Sequence, residues 1–215
     1  KNYLRTLQKA EIYQNLEMKE KRKYKIGIGV NPIFKEVFSR PAAAAKSSMN
    51  AVKYLAENKA NKILNFSGGT HHGRQSFASG FCFLNDCNLA ILKAKELGLK
   101  PVGEVISYAV SGVEPSVMGI GPVPAMNKAL AKAGLTIDDI DLVELNEAFA
   151  VQSLAVLSDF PIPSEKLNVN GGAVALGHPI GASGSILIVK LLHEMQRRNA
   201  KRGLVSLCVG GGQGI

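Results

Sequence analysis

"NVNGGAVALGHPIGASGS", residues 168–185, holds one side chain able to move a proton, His178, in a run cleared of bulk. Between Gly171 and Gly184, five of fourteen residues are glycine and three are alanine. Glycine lets a ligand and neighbouring backbone approach the imidazole closely. Gly and Ala ahead of a helix also let that helix pack tightly on a sheet. The next stretch, "ASGSILIVKLLHEMQRR" (182–198), reads as a long helix. Its first half is apolar on every side and is therefore expected to be buried.

Outward from this stretch, helical and strand patterns alternate. Residues 1–20 carry Leu4, Leu7 and Leu16 near one helical face, and "RPAAAAKSSMNAVKYLAEN" (40–58) is helical with proline near its start. "KILNFS" (62–67) reads as a short buried strand, and "LNDCNLAILKAKELG" (84–98) as a helix stopped by Gly98. "VGEVISYAV" (102–110) is a predicted strand, and "GPVPAMNKALAKAG" (121–134) a helix with prolines in its first turn. "IDLVELN" (140–146) is a strand, "EAFAVQSLAVLSD" a helix, and "GLVSLCV" (203–209) a last strand before "GGGQG". This is an α/β pattern, with helices packed on a mostly parallel sheet.

Three polar spots fall at element ends: Asn146 with Glu147 after a strand, His178 before the helix, and Cys208 near the end of the last strand. In open α/β sheets reacting groups collect there. A thiol and an imidazole are close enough in basicity to exchange protons. Asn holds a water or an oxygen by hydrogen bond, and the N–H groups of "GGG" after Cys208 suit an oxyanion. Each has a bland alternative: an inert core cysteine, a capping histidine, a helix start with Glu at its positive end, a plain turn.

Together, "NEAFA" (146–150), "NVNGGAVALGHPIGASG" (168–184) and "CVGGGQG" (208–214), with "VEPSVMGIGPVPA" (113–125), closely resemble the C-terminal half of thiolases over about residues 95–215. The family makes or breaks carbon–carbon bonds between acyl groups held as coenzyme A thioesters. The resemblance implies that His178 activates a nucleophilic cysteine and helps bind the thioester oxygen. It implies that Asn146 holds a water completing that oxyanion site, and that Cys208 shuttles the proton of the acyl α-carbon. Gly210 N–H contributes to a second oxyanion site, and Glu147 orders the motif. Set beside His178, Cys208 is expected to alkylate faster than Cys82 and Cys87. The coenzyme A thioester is the implied substrate, with no bound cofactor.

The family's nucleophilic cysteine lies in an N-terminal half built on the same fold, which residues 1–94 do not resemble. Cys82, in "SGFCFLND", has a different context. The segment that embraces coenzyme A between the halves is missing, and the family runs a final strand where this chain stops at Ile215. The chain is expected to be incomplete as a thiolase.

"GGTHHGRQSFASGFCFLND" (68–86) has two adjacent histidines after a glycine pair. Neighbouring histidines serve as general acid and base, as metal ligands, or as solvated loop residues. With "GIGVNPIFKEVF" (27–38), the segment resembles the N-terminal third of zinc-dependent deacetylases of the histone-deacetylase and acetoin-utilisation group, over about residues 1–92. That resemblance implies His71 and His72 as the acid/base pair. The family's Asp-x-His zinc ligands have no counterpart after Asp86, so no metal site is expected.

Net charge is +9, and it is unevenly placed: residues 1–100 hold 18 Lys+Arg against 7 Asp+Glu, whereas 101–215 hold 8 against 10. The dense run "KEKRKYK" (19–25) reads as a solvated helix end, and nucleic acid is not the expected partner. Three cysteines are too few for a disulfide scaffold, and no apolar run reaches the roughly 20 residues of a membrane span. A cytoplasmic setting is expected. The chain reads as a deacetylase-like fragment (1–92) joined within the helix at 86–100 to a thiolase-like C-terminal domain (93–215). The expected fold is α/β, a mixed sheet with packed helices preceded by a partial α/β segment. The expected partners are an acyl-CoA and either a second copy or a complementing thiolase N-terminal half. The rival readings are a deacetylase-like protein without its metal ligands, a non-catalytic remnant binding acyl-CoA or a partner, and a nucleic-acid binder through residues 1–25.

Overall fold

The computed structural model describes residues 1–215, which divide into two compact units, Lys1–Lys100 and Pro101–Ile215.

The first unit is built from four helices: α1 (Asn2–Tyr13), α2 (Met18–Tyr24), α3 (Ser39–Ala56) and α4 (Asp86–Glu96). Tyr3, Leu7 and Ala10 line one face of α1 and meet Leu16, Tyr24, Ile26, Val37, Ala78 and Phe83 in a core. The phenol of Tyr3 donates to the Phe83 carbonyl at 2.7 Å. Two helices replace the single one expected over 1–20. α1 ends in a left-handed Gln14, and α2 restarts at a Glu17–Glu20 capping box, with Leu16 buried between them. The expected strand 62–67 does not form. Leu64 is 74% and Phe66 92% exposed, and no extended segment of this unit pairs with them. A strand exists only as a member of a ladder, so an apolar run without a neighbour stays irregular.

The second unit carries the strands. In order come β1 (Ser111–Gly112), a 3-10 turn (Pro115–Ile120), α5 (Pro122–Ala133), a second 3-10 turn (Ile137–Asp139), β2 (Leu142–Leu145) and α6 (Ala150–Asp159). They are followed by α7 (Ala173–Leu176), α8 (Ile180–Arg198), β3 (Gly203–Ser206), β4 (Cys208–Val209) and β5 (Gln213–Gly214). β2 and β3 are parallel, with Leu142 opposite Gly203 and Leu145 opposite Ser206. β1, β5 and β4 form a separate antiparallel sheet. The α/β class holds, but the mostly parallel sheet resolves into these two small ones. Met126 and Leu130 of α5, Val156 of α6, and Val143 and Leu145 of β2 share a core with Ile140, Phe160 and Ile162. All four residues of β2 are buried, including Glu144.

Two further expectations fail here. Residues 102–110 belong to no ladder, and Val105, Ile106 and Tyr108 are exposed. Ser107 Oγ donates to the Ala129 carbonyl, and Lys128 and Lys132 donate to the carbonyls of Val110 and Tyr108. The two lysines thus satisfy carbonyls of this segment that a neighbouring strand would otherwise pair. The first half of α8 is likewise not buried all round: Ile180, Ile186, Ile188 and Val189 are exposed. The buried residues of α8 form one stripe, Ser183, Leu187, Leu191 and Glu194, and the helix packs against β2 and β3. One covered side admits only one stripe of a helix. No helix is long and apolar enough to cross a membrane.

Candidate active site around His178

β2 ends by delivering Asn146 into the interior of its unit. Asn146 is 1% exposed, and its N–H donates to the Ser206 carbonyl of β3. Its side-chain nitrogen lies 3.4 Å from His178 Nε2. On the other side of the ring, His178 Nδ1 is 2.6 Å from Ser183 Oγ, in the first turn of α8. The Ser183 hydroxyl donates to the Pro179 carbonyl at 3.0 Å, so its proton is committed. With that proton placed on Pro179, the hydroxyl oxygen accepts from Nδ1–H, and Nε2 accepts from the Asn146 amide nitrogen. The network assigns this tautomer.

Glu147 organises the loop that leads to the histidine. One carboxylate oxygen accepts from Asn168 Nδ2 at 2.9 Å and the other from Val174 N–H at 3.0 Å. Asn168 exchanges two hydrogen bonds with the Leu145 backbone, extending the edge of β2 after the Val143–Leu167 bridge. Gly172 leaves room for this carboxylate: a Cβ there would lie 2.0 Å from the Glu147 carboxyl carbon. Part of the glycine richness around His178 thus serves Glu147, while Gly181 and Gly184 face open space.

Cys208 opens β4 and pairs with Gly214 across the hairpin, whose turn contains Gly210. Its thiol is buried, burial raises its pKa, and it makes no hydrogen bond to His178 or Asn146. The structure joins Asn146, His178 and Ser183, and places Glu147 behind them. Cys208 and Gly210 lie on a neighbouring strand and turn, outside that hydrogen-bonded chain. Sequence reasoning missed Ser183. Its signal was position: it lies five residues past His178, one turn into the helix.

His71 and His72 lie in the first unit, both exposed, with ring centroids 4.1 Å apart. His71 Nδ1 is 2.9 Å from the Gly69 carbonyl, and Asn85 donates to the carbonyls of His71 and Gly73. Beneath this turn Asp86 is 2% exposed. Burial raises its pKa, but hydrogen bonds from Ser48, from the hydroxyl and N–H of Thr70 and from Gly69 N–H outweigh this and hold it at about 2. This buttress was invisible in the sequence, because Ser48 lies 38 residues away on α3. No group of three or more His, Cys, Asp or Glu side chains converges in metal-binding geometry. The residues present do not fit a zinc site, which needs about three protein ligands.

The thiolase C-terminal domain family matches residues 99–215, and the histone deacetylase domain family matches residues 1–105. An acetyl-CoA acetyltransferase of Syntrophomonas wolfei is 59% identical over 138 residues, 61% of this chain and 35% of that protein. One from Escherichia coli is 61% identical over 118 residues, 55% of this chain and 30% of its own. Among solved structures, a Bacillus anthracis acetyl-CoA acetyltransferase is similar with a TM-score of 0.55 and 34% identity, covering 82% of this chain and 54% of that one. Human mitochondrial 3-ketoacyl-CoA thiolase in complex with CoA gives 0.55 and 33%, covering 82% and 52%. The chain spans about a third of the length of the curated relatives it matches.

Proposed function

This chain belongs to the thiolase family through its C-terminal domain, residues 99–215, and from that premise we propose that it binds an acyl-CoA thioester at His178 and Asn146 as one half of an acyltransferase site. The observation that carries the reading is the Asn146–His178–Ser183 chain, which presents Nε2 as an acceptor beside the Asn146 amide. A thiol brought to Nε2 passes its proton there, leaving a thiolate and an imidazolium. The imidazolium N–H then donates to the thioester oxygen, while Ser183 keeps hold of Nδ1–H in both states. Asn146 is proposed to hold, through its amide, a water that completes this oxyanion site. Cys208, entering from β4, is the proposed proton carrier for the acyl α-carbon, and the N–H of Gly210 the proposed second oxyanion donor. Glu147 is the proposed organiser of the loop.

The thiol that carries the acyl group is proposed to come from a separate thiolase N-terminal half, because Cys82 and Cys87 lie in the deacetylase-like segment. We further propose that the passage between the two parent sequences lies within residues 86–100, where the domains divide as 1–92 and 93–215. His71 and His72 remain candidates for an acid/base pair in the first domain, with no hydrolytic step assigned to them. Calorimetric titration with acetyl-CoA tests the reading. Binding is expected in the 215-residue protein and is expected to be lost in His178→Ala and Asn146→Ala. Cleavage of acetoacetyl-CoA is expected only when a thiolase N-terminal half is added. Equal binding by His178→Ala would sink the assignment of the site.

A further inference from the structure

The loop that carries His178 has no hydrophobic anchor. α7, between Gly172 and His178, buries none of its residues, and Val174 and Leu176 are 66% and 61% exposed. Polar groups must therefore fix the segment, and α8 supplies two of them one turn apart. Lys190 Nζ donates to the Gly171 carbonyl and lies 2.8 Å from Glu144 Oε2. Glu194 accepts from Asn170 Nδ2 at 3.0 Å and is itself held by Arg197 and Arg198.

We propose that Lys190 is a positioning residue for His178: held by the buried carboxylate of Glu144, its ammonium clamps the Gly171 carbonyl and so fixes the backbone that carries the histidine into the site. This rests on the reading of His178 as the reacting group. Glu144 is 2% exposed on a strand whose other residues are apolar. Burial pushes its pKa up, Lys190 opposes that, and the charges of Glu147 and Glu194 add to it. A buried carboxylate needs a charged or hydrogen-bonding partner to stay ionised. Lys190 is that partner, and it spends a second donor on a loop carbonyl. A pair that served packing alone would have no use for the Gly171 contact. Gly171 itself sits at φ 82, a left-handed turn that reverses the chain toward α7.

The test uses the 215-residue protein labelled with ¹⁵N-histidine. The wild type is expected to show His178 as a single Nδ1–H tautomer with narrow lines. Lys190→Met removes the clamp but leaves Glu144 uncompensated, so the double variant Lys190→Met/Glu144→Gln is made beside it to restore neutrality. The double variant is expected to keep the wild-type circular dichroism while its His178 signals broaden and move toward a tautomer average. Lys190→Arg, which can still reach both partners, is expected to return the wild-type signals. Unchanged His178 signals in the double variant would overturn the proposal. So would loss of fold in both Met variants, since the pair would then be a folding element only. Acetyl-CoA titration of the wild type is read separately. Failure to bind there speaks against the acyl-CoA reading and leaves the nitrogen signals to decide the clamp.

Discussion

Gly172 has no room for a side chain, while a Cβ at Gly181 or Gly184 would meet no neighbour within 4 Å. The same glycine-rich stretch therefore holds residues of opposite sensitivity. Gly172→Ala must push the Glu147 carboxylate off Asn168 and Val174, breaking two charge-assisted hydrogen bonds. An expected loss of about 1–3 kcal/mol follows, read by thermal or urea unfolding. Gly181→Ala and Gly184→Ala lie within α8 and replace a poor helix former by the best one. Each is expected to stabilise by about 0.5–1 kcal/mol. If acetyl-CoA binding falls in those two variants while stability rises, the two glycines are kept open for a ligand. Stability that falls instead would show that they serve packing. The cysteines separate in the same way. Sequence reasoning expects Cys208 to alkylate first. Its thiol, however, is buried, its pKa is raised by that burial, and His178 lies outside its hydrogen-bond reach. Cys87 is exposed. Mass-mapped iodoacetamide labelling is expected to mark Cys87 first, with Cys82 and Cys208 protected. First labelling of Cys208 would mean that the β4 edge opens toward a base.

At the scale of elements, the start of α4 is fixed by one carboxylate. Asp86 holds the turn of His71 and His72 to α3 through Ser48 and to the loop through Thr70 and Gly69. Its folded pKa of about 2 lies below the ordinary value of 3.8. Its stabilising contribution is therefore present in full above about pH 4 and is lost as pH falls toward about 2. Asp86→Asn is expected to destabilise the first unit by about 2 kcal/mol at neutral pH, with the difference from wild type vanishing near pH 2. Unfolding curves at several pH values check this, and a constant difference down to pH 2 would assign the loss to packing. The elements also show what the sequence could reveal. α3, α4 and α5 follow from proline near a start, glycine or a polar residue near an end, and apolar spacing between, all of which are local. β2 follows from "IDLVELN" because its four core residues find a parallel partner in β3. Residues 62–67 and 102–110 have equally apolar sequences and form no ladder. Pairing depends on a neighbour, and no local pattern reports whether one is present. The site divides along the same line. Asn146, Glu147 and His178 were legible as motif residues. Ser183, Lys190 and Glu194 lie in α8 among ordinary helix residues, and only the fold turns them toward the loop.

For the whole molecule, the two hydrophobic cores share no residue. Leu7 is fully buried in the core of the first unit, and Leu145 in that of the second. The charge balance differs as well, strongly basic over residues 1–100 and slightly acidic over 101–215. The proposed division into two domains of different parentage therefore has a direct consequence for hydrogen exchange. In the intact chain, the slowest amides are expected in β2, β3 and α5, which surround the second core. Residues 60–66 are expected to be the fastest internal segment, because they lack regular structure and expose Leu64 and Phe66. Removing a fully buried leucine side chain costs about 2–5 kcal/mol. Leu7→Ala is expected to accelerate exchange in α1 and α2 while leaving β2 and β3 unchanged. Leu145→Ala is expected to do the reverse. If either substitution speeds exchange evenly from α1 through α8, the chain unfolds as one cooperative body. The division would then be a feature of sequence ancestry alone, and a site in the second unit would draw its stability from the first.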